Sequence, residues 1–142
     1  MNSYSPQSKL ATYRSVSAYG AVADADPHAL VLTVLDATLG RLAAARVCIE
    51  RGETRRRAGL LHSSVIFIAE LRGTLDLQKG GSLAQNLSDL YDYMARRLIH
   101  ANLNSDAGAV AEVQSLLGEI RSGWAAIGPQ VRRDSGRSAS AA

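Results

Sequence analysis

The segment NLSDLYDYMARRLIHANLNSD, residues 86–106, has the pattern of one long amphipathic helix. Tyr91 lies beside its apolar stripe and is expected at the edge of a core. Tyr93 is about 200° farther round the helix. We therefore expect Tyr93 on another face, where a ring with a polar tip suits an interface. The predicted core stripe begins just before the segment and consists of Leu83, Leu87, Leu90, Met94, Leu98 and Ala101.

Three more helices are predicted around this one from their start and stop signals. Asp26 and Pro27 suit the start of a helix, and Gly52 suits the residue after its end. Ser82 and Gln85 have the spacing of a capping box, so the third helix is expected to begin at Ser82. With Thr54 and Asp106 as further caps and Gly128 with Pro129 as a stop, the predicted helices span about residues 26–50, 54–76, 82–104 and 106–127.

Short loops between long helices force neighbouring helices to run antiparallel. We therefore predict an all-α fold, an antiparallel up-down four-helix bundle over residues 26–128. Residues 1–25 lack a sustained apolar period, which predicts a flexible N-terminal arm or a short extra helix. Residues 129–142 are low in apolar content and are predicted to form a disordered C-terminal tail. The core stripe expected in the fourth helix is Val110, Val113, Leu117, Ile120, Trp124 and Ile127.

The first two helices are apolar around most of their circumference. A helix in a small bundle needs only one buried stripe, so the surplus apolar faces must be covered or left exposed. Two compatible interpretations stay open: a partner binds these faces, or the N-terminal arm covers them until a partner displaces it. The positions concerned are Leu30, Val31, Leu32, Val34, Leu35, Leu39 and Leu42 in the first helix, and Leu60, Leu61, Val65, Ile66, Phe67, Ile68 and Leu71 in the second.

The chain offers little for catalysis or metal binding. Its histidines, His28, His62 and His100, do not form the Glu-x-x-His pairs of a di-metal bundle, and no phosphate loop or nucleophile elbow is present. The lone cysteine, Cys48, is expected to be a buried small hydrophobe. The net charge of +3 is spread along the chain, and no apolar run is long enough to span a bilayer. We therefore expect a cytoplasmic protein that is not an enzyme, without cofactor, metal, nucleic-acid partner or membrane insertion.

Four segments, in order and with fitting loop lengths, resemble the flagellar secretion chaperone FliS family. They are ADPHALVLTVLD at 25–36, LDLQKGGSLAQNL at 75–87, the opening segment at 86–106, and EVQSLLGEIRSGW at 112–124. The resemblance covers about residues 10–127. The chain departs from the family pattern at Leu35, where the family often has an aromatic residue, and at Ala37, where it often has glycine.

The resemblance implies a cytoplasmic chaperone with a helical-bundle fold that binds newly made flagellin without using ATP. It implies that the chain grips the disordered C-terminal segment of flagellin and prevents early polymerisation. Delivery of flagellin to a flagellar export gate component is implied as well. The family's N-terminal arm is expected to act as a lid and to help docking at the gate, and helical phase gives Tyr13 and Val22 as the candidate residues of that lid.

Helical phase then gives candidate residues for the flagellin-binding groove. Leu32, Ile66 and Phe67 are expected in the groove walls, and Tyr93 is expected as an aromatic contact at the rim. An amphipathic helix lying in an apolar groove is the binding mode that such surfaces favour.

Two alternative functions belong to other classes. A structural helical bundle would use its surplus apolar faces in a weak homodimer, with Ile66 and Phe67 in the interface. A bundle enzyme with iron or manganese would need a cluster of ligands that the spacing of the histidines does not favour.

Overall fold

The computed structural model describes the backbone of residues 26–141 and the side chains of residues 26–128. This part of the chain forms four helices and no strand: α1 (Pro27–Arg51), α2 (Thr54–Gly73), α3 (Leu77–Asn104) and α4 (Ala107–Ala141). The predicted all-α helical bundle is confirmed. The predicted arm, with Tyr13 and Val22, lies outside the described residues.

Several predicted helix ends are confirmed by their hydrogen bonds and backbone angles. Asp26 Oδ1 accepts from the backbone N–H of His28 at the start of α1, and Gly52 follows its end with φ of 70°. Ser105 adopts the left-handed conformation after α3, with φ of 51°. Asp106 Oδ1 accepts from the N–H of Ala109 and so caps α4, a contact that lowers the pKa of the Asp106 carboxyl.

The turn between α2 and α3 differs from the prediction. The second helix ends at Gly73 rather than near Asp76, because Asp76 instead caps α3: its Oδ1 accepts from the N–H groups of residues 78 and 79. A helical turn therefore forms where a loop was expected. Gly81, with φ of 54° and ψ of −135°, then breaks the helix, and the main part of α3 begins at Ser82 as predicted. Gln85 donates to Asp89 Oδ1, farther along the helix.

Two predicted cap assignments are corrected. Thr54 is the first residue of α2, and the N-cap is Glu53, whose side chain makes no capping hydrogen bond. The expected stop at Gly128 and Pro129 is wrong, because the backbone of α4 continues to Ala141. Gly128 serves packing instead: it is buried, and a Cβ at this position would lie 2.7 Å from the His28 ring.

Helices α2 and α3 run antiparallel. At one end Arg57 of α2 contacts Asn102 of α3, and at the other end Arg72 of α2 contacts Ser88 of α3. Residues 26–36 pack with 117–141 in one compact group, and residues 37–116 form another, so α1 and α4 each contribute to both groups.

The buried stripe of α3 is displaced by one position in its first half. Leu83 was expected in the core, yet 70% of its surface is exposed. Tyr91 takes a core position, and the stripe through it continues back to the small residues Ala84 and Ser88. Burial raises the pKa of Tyr91 to about 12. The buried residues of α3 are Ala84, Ser88, Tyr91, Met94, Leu98 and Ala101.

The buried stripe of α4 follows the prediction through Leu117 and then shifts. Val110, Val113 and Leu117 are buried, whereas Ile127 is 42% exposed and the buried position at the end is Gly128. In α1, the predicted burial of Cys48 is confirmed, and burial raises the pKa of its thiol.

In the first group, His28 and Trp124 join α1 to α4. Their rings stack with centroids 4.8 Å apart and planes within 10° of parallel. His28 Nε2 donates to the carbonyl oxygen of Trp124 at 2.6 Å, and Trp124 Nε1 donates to the carbonyl oxygen of His28 at 3.0 Å. This reciprocal pair holds the His28 ring in place, so the ring cannot easily move away from a larger residue at Gly128.

We predict that Gly128→Ala lowers the free energy of unfolding by about 1–3 kcal/mol, because the new methyl group overpacks against the His28 ring. Gly123→Ala is the matched control: it lies in the same helix, is exposed, and has no heavy atom within 4 Å of a new Cβ. That control should be stabilising by up to about 1 kcal/mol. Urea unfolding followed by circular dichroism measures both, and equal stability of the two variants would contradict the packing role.

Candidate functional site: an apolar groove between α2 and α3

A surface groove lies between α2 and the second half of α3, with a volume of about 330 Å³. Most of its lining is apolar. Leu61 and Leu98 are almost fully buried and form its floor, whereas Ile99 is 51% exposed and Leu103 is 80% exposed. Single exposed apolar residues are common on protein surfaces, but exposed apolar residues beside a groove make it a candidate binding surface. The lining residues are Leu61, His62, Val65, Leu98, Ile99, Asn102 and Leu103.

A polar contact joins the two helices at one end of this groove. Arg57 Nε donates to Asn102 Oδ1 at 3.2 Å, and another guanidinium nitrogen donates to the Asn102 carbonyl oxygen at 3.0 Å. The third nitrogen donates to Ser105 Oγ. Arg57 thus links the first turn of α2 to the last turn of α3.

Comparison with known proteins assigns this helical fold to a family. The sequence profile described as flagellar protein FliS matches residues 9–131. The chain belongs to the FliS family. The FliS-family chain is 40% identical over 124 residues to the flagellar secretion chaperone FliS of Salmonella typhimurium, covering 87% of this chain and 92% of that protein.

Relatives from other bacteria carry the same family description. Flagellar secretion chaperone FliSB of Pseudomonas aeruginosa is 41% identical over 115 residues, which is 81% of this chain and 91% of that protein. Flagellar secretion chaperone FliS of Bacillus subtilis is 31% identical over 110 residues, covering 78% and 81% of the two chains. The resemblance inferred from the four segments is therefore confirmed.

The predicted groove residues of this FliS-family chain lie in different environments. Ile66 is 39% exposed and follows Val65 of the groove lining. Phe67 is only 8% exposed, and the guanidinium carbon of Arg41 lies 4.6 Å from its ring centre, a cation–π contact. Leu32 is half-buried and belongs to the other compact group, residues 26–36 with 117–141.

Tyr93 faces away from the buried stripe and contacts α4. Its hydroxyl donates to Glu112 Oε2 at 2.8 Å, and Arg97 Nε donates to Glu112 Oε1 at 2.8 Å. The two hydrogen bonds, first that of Tyr93 and then that of Arg97, lower the pKa of the Glu112 carboxyl. The same contact with Glu112 raises the pKa of Tyr93.

Sequence reasoning missed Ile99 and Leu103, the two exposed apolar residues of the groove. Both lie in the opening segment, four residues apart and outside its Leu–Met stripe. That spacing forms a second, short apolar row on the same helix. The surplus apolar face of the second helix was predicted, and the groove adjoins it; the contribution of the third helix was not predicted.

The three histidines have separate surroundings within the described side chains. His28 pairs with Trp124, His62 lines the groove, and His100 Nε2 lies 3.2 Å from Asp106 Oδ2. Among residues 26–128, no three His, Cys, Asp or Glu side chains come together as a metal site requires. None of the helices between Pro27 and Ala141 has an apolar stretch long enough to cross a lipid bilayer.

We predict a pH dependence of stability from Glu112. Because its pKa is lowered in the folded state, its stabilising contribution is complete above its ordinary pKa of 4.5 and is lost as the pH falls through the folded value. The difference in unfolding free energy between the wild type and Glu112→Gln should therefore shrink below about pH 4.5. Glu119→Gln, which alters an exposed carboxylate of the same helix, is the control. A constant difference between pH 7 and pH 3 would contradict the assigned contacts.

Proposed function

We propose that this chain is a cytoplasmic chaperone of flagellin and that the groove between α2 and α3 receives part of the disordered C-terminal segment of flagellin. In this proposal the chain keeps flagellin from polymerising early and delivers it to a component of the flagellar export gate. The observation that carries the proposal is the apolar groove, with its exposed rim of Ile99 and Leu103, in a member of the FliS family.

The physical demands of binding a disordered segment favour such a surface. Ordering the client backbone opposes binding by about 1–2 kcal/mol for each residue, so the client must bury apolar side chains to compensate. An amphipathic helix meets that demand by placing side chains spaced three and four residues apart into a groove. A groove of about 330 Å³ is small, so it suits a short helical piece of a longer client rather than the whole segment.

The proposal uses further contacts outside the groove. Ile66 extends the exposed apolar surface of α2, and Leu32 and Tyr93 are proposed as additional contacts along a client that wraps around the chain. The buried Phe67 supports the wall from behind rather than touching the client. Tyr13 and Val22 of the N-terminal arm are proposed as a lid that the client displaces and that docks at the gate.

Binding to flagellin tests the proposal directly. Isothermal titration of the purified chain with full-length flagellin should show a stable complex, whereas flagellin without its C-terminal segment should show no heat of binding. Titration with a peptide of that segment should restore binding. A wild-type chain that binds neither flagellin nor the peptide would refute the proposed client.

The groove has its own test. Ile99→Ala and Leu103→Ala should each weaken peptide binding about tenfold, because each removes apolar area that the client would bury. Both side chains are exposed, so the unfolding free energy should change little. Leu83→Ala is the matched control, since Leu83 is as exposed as these residues but is not among those lining the groove. Equal affinities of all three variants would exclude this groove as the binding site.

Light scattering tests the alternative homodimer. Ile66 is the exposed member of the residue pair assigned to that interface. A dimer that dissociates on Ile66→Asp, combined with absence of flagellin binding, would favour the structural function over the chaperone function.

A further inference from the structure

Arg57 differs from the two arginines that precede it. Residues 55 and 56 are exposed, whereas Arg57 is half-buried and donates from all three of its guanidinium nitrogens. Its acceptors are the side chain and the carbonyl oxygen of Asn102 and the hydroxyl of Ser105, all of them neutral groups at the end of α3. The planar guanidinium of Arg57 therefore directs all of these hydrogen bonds to the end of α3.

The end of α3 is a segment that needs such support. The last four carbonyl groups of a helix have no partner within the helix, so its last turn frays readily. Arg57 donates to the carbonyl oxygen of Asn102 and to the hydroxyl of Ser105. Ser105 is the left-handed residue at which the helix ends. This last turn carries Leu103, and Ile99 lies one turn earlier, so the end of α3 is also one wall of the groove.

We propose that Arg57 is a positioning residue for the groove: it holds the last turn of α3 against α2 and thereby pre-forms the wall that a client helix contacts. This inference rests on the proposed function, in which the groove binds the client. Arg57 itself acts through Asn102 and Ser105 and need not touch the client. A pre-formed wall raises affinity because its ordering is complete before the client binds.

The test uses variants that the chain offers as matched controls. Arg57→Ala should weaken binding of the flagellin C-terminal peptide about tenfold, since each charge-assisted hydrogen bond contributes substantially to holding the wall. Arg55→Ala and Arg56→Ala remove the same charge from the same helical turn and should stay within about twofold of the wild type. Arg72→Ala removes the contacts with Ser88 and Asp92 at the opposite end of the same helix pair and should also leave affinity unchanged.

Salt dependence separates positioning from direct attraction. Because its acceptors are neutral, the affinity lost in Arg57→Ala should be the same at about 50 mM and about 500 mM salt. A loss that disappears at high salt would show that Arg57 attracts the client by charge, and equal losses in the three arginine variants at 55–57 would show a general charge effect. Either result overturns the inference.

Amide hydrogen exchange of the free protein tests the wall without any client. In Arg57→Ala, the amides of residues 102–106 should exchange about tenfold faster, whereas Arg72→Ala should leave them unchanged. Unchanged exchange in Arg57→Ala overturns the inference even if flagellin binds, and faster exchange supports it even if the proposed client proves wrong. If Arg57→Ala does not fold, Arg57→Lys replaces it in both measurements, because lysine keeps the charge but lacks the planar guanidinium. Exchange and affinity equal to those of the wild type would then overturn the inference.

Discussion

The close packing of α3 on α2 determines which apolar residues are buried and which stay exposed. The buried face of α3 includes Ala84, Ser88 and Ala101, whose side chains are small. Arg57 and Arg72 then bind α3 at opposite ends of α2. With Leu98 and Ala101 buried, Ile99 and Leu103 lie off the buried face of α3 and stay exposed. The exposed rim of the groove is therefore a consequence of how the core is packed.

Fold class and several helix ends could be predicted from the sequence because caps and glycines act locally. Asp106 accepts from an amide three residues away, and Gly52 ends α1 with a positive φ, so both could be read from neighbouring residues alone. Gly128 shows where this reasoning fails. Its role depends on the His28 ring, 100 positions earlier in the chain, and a local pattern cannot distinguish a glycine that ends a helix from one that makes room for a distant side chain.

The candidate site was only partly accessible for a related reason. The surplus apolar face of the second helix was visible in Leu61 and Val65, but a groove needs two walls, and the partner wall depends on register. Periodicity also predicted Leu83 in the core and gave no position for Leu103. Hydrophobic spacing alone does not show whether Tyr91 or a neighbouring leucine takes the core position. Phe67 is a large apolar residue and was therefore expected in the groove wall, but the guanidinium of Arg41 from α1 covers its ring.

The opening segment carries three kinds of contact on one helix, which explains its tyrosines on two faces. Tyr91 and its neighbours fill the core, Ile99 and Leu103 line the groove, and Tyr93 with Arg97 binds Glu112 of α4. The three sets of contacts fix the rotation of α3 about its axis, because a rotation that improved one set would break another. A helix held in this way from the core and from α4 can present apolar side chains to solvent without turning them inward.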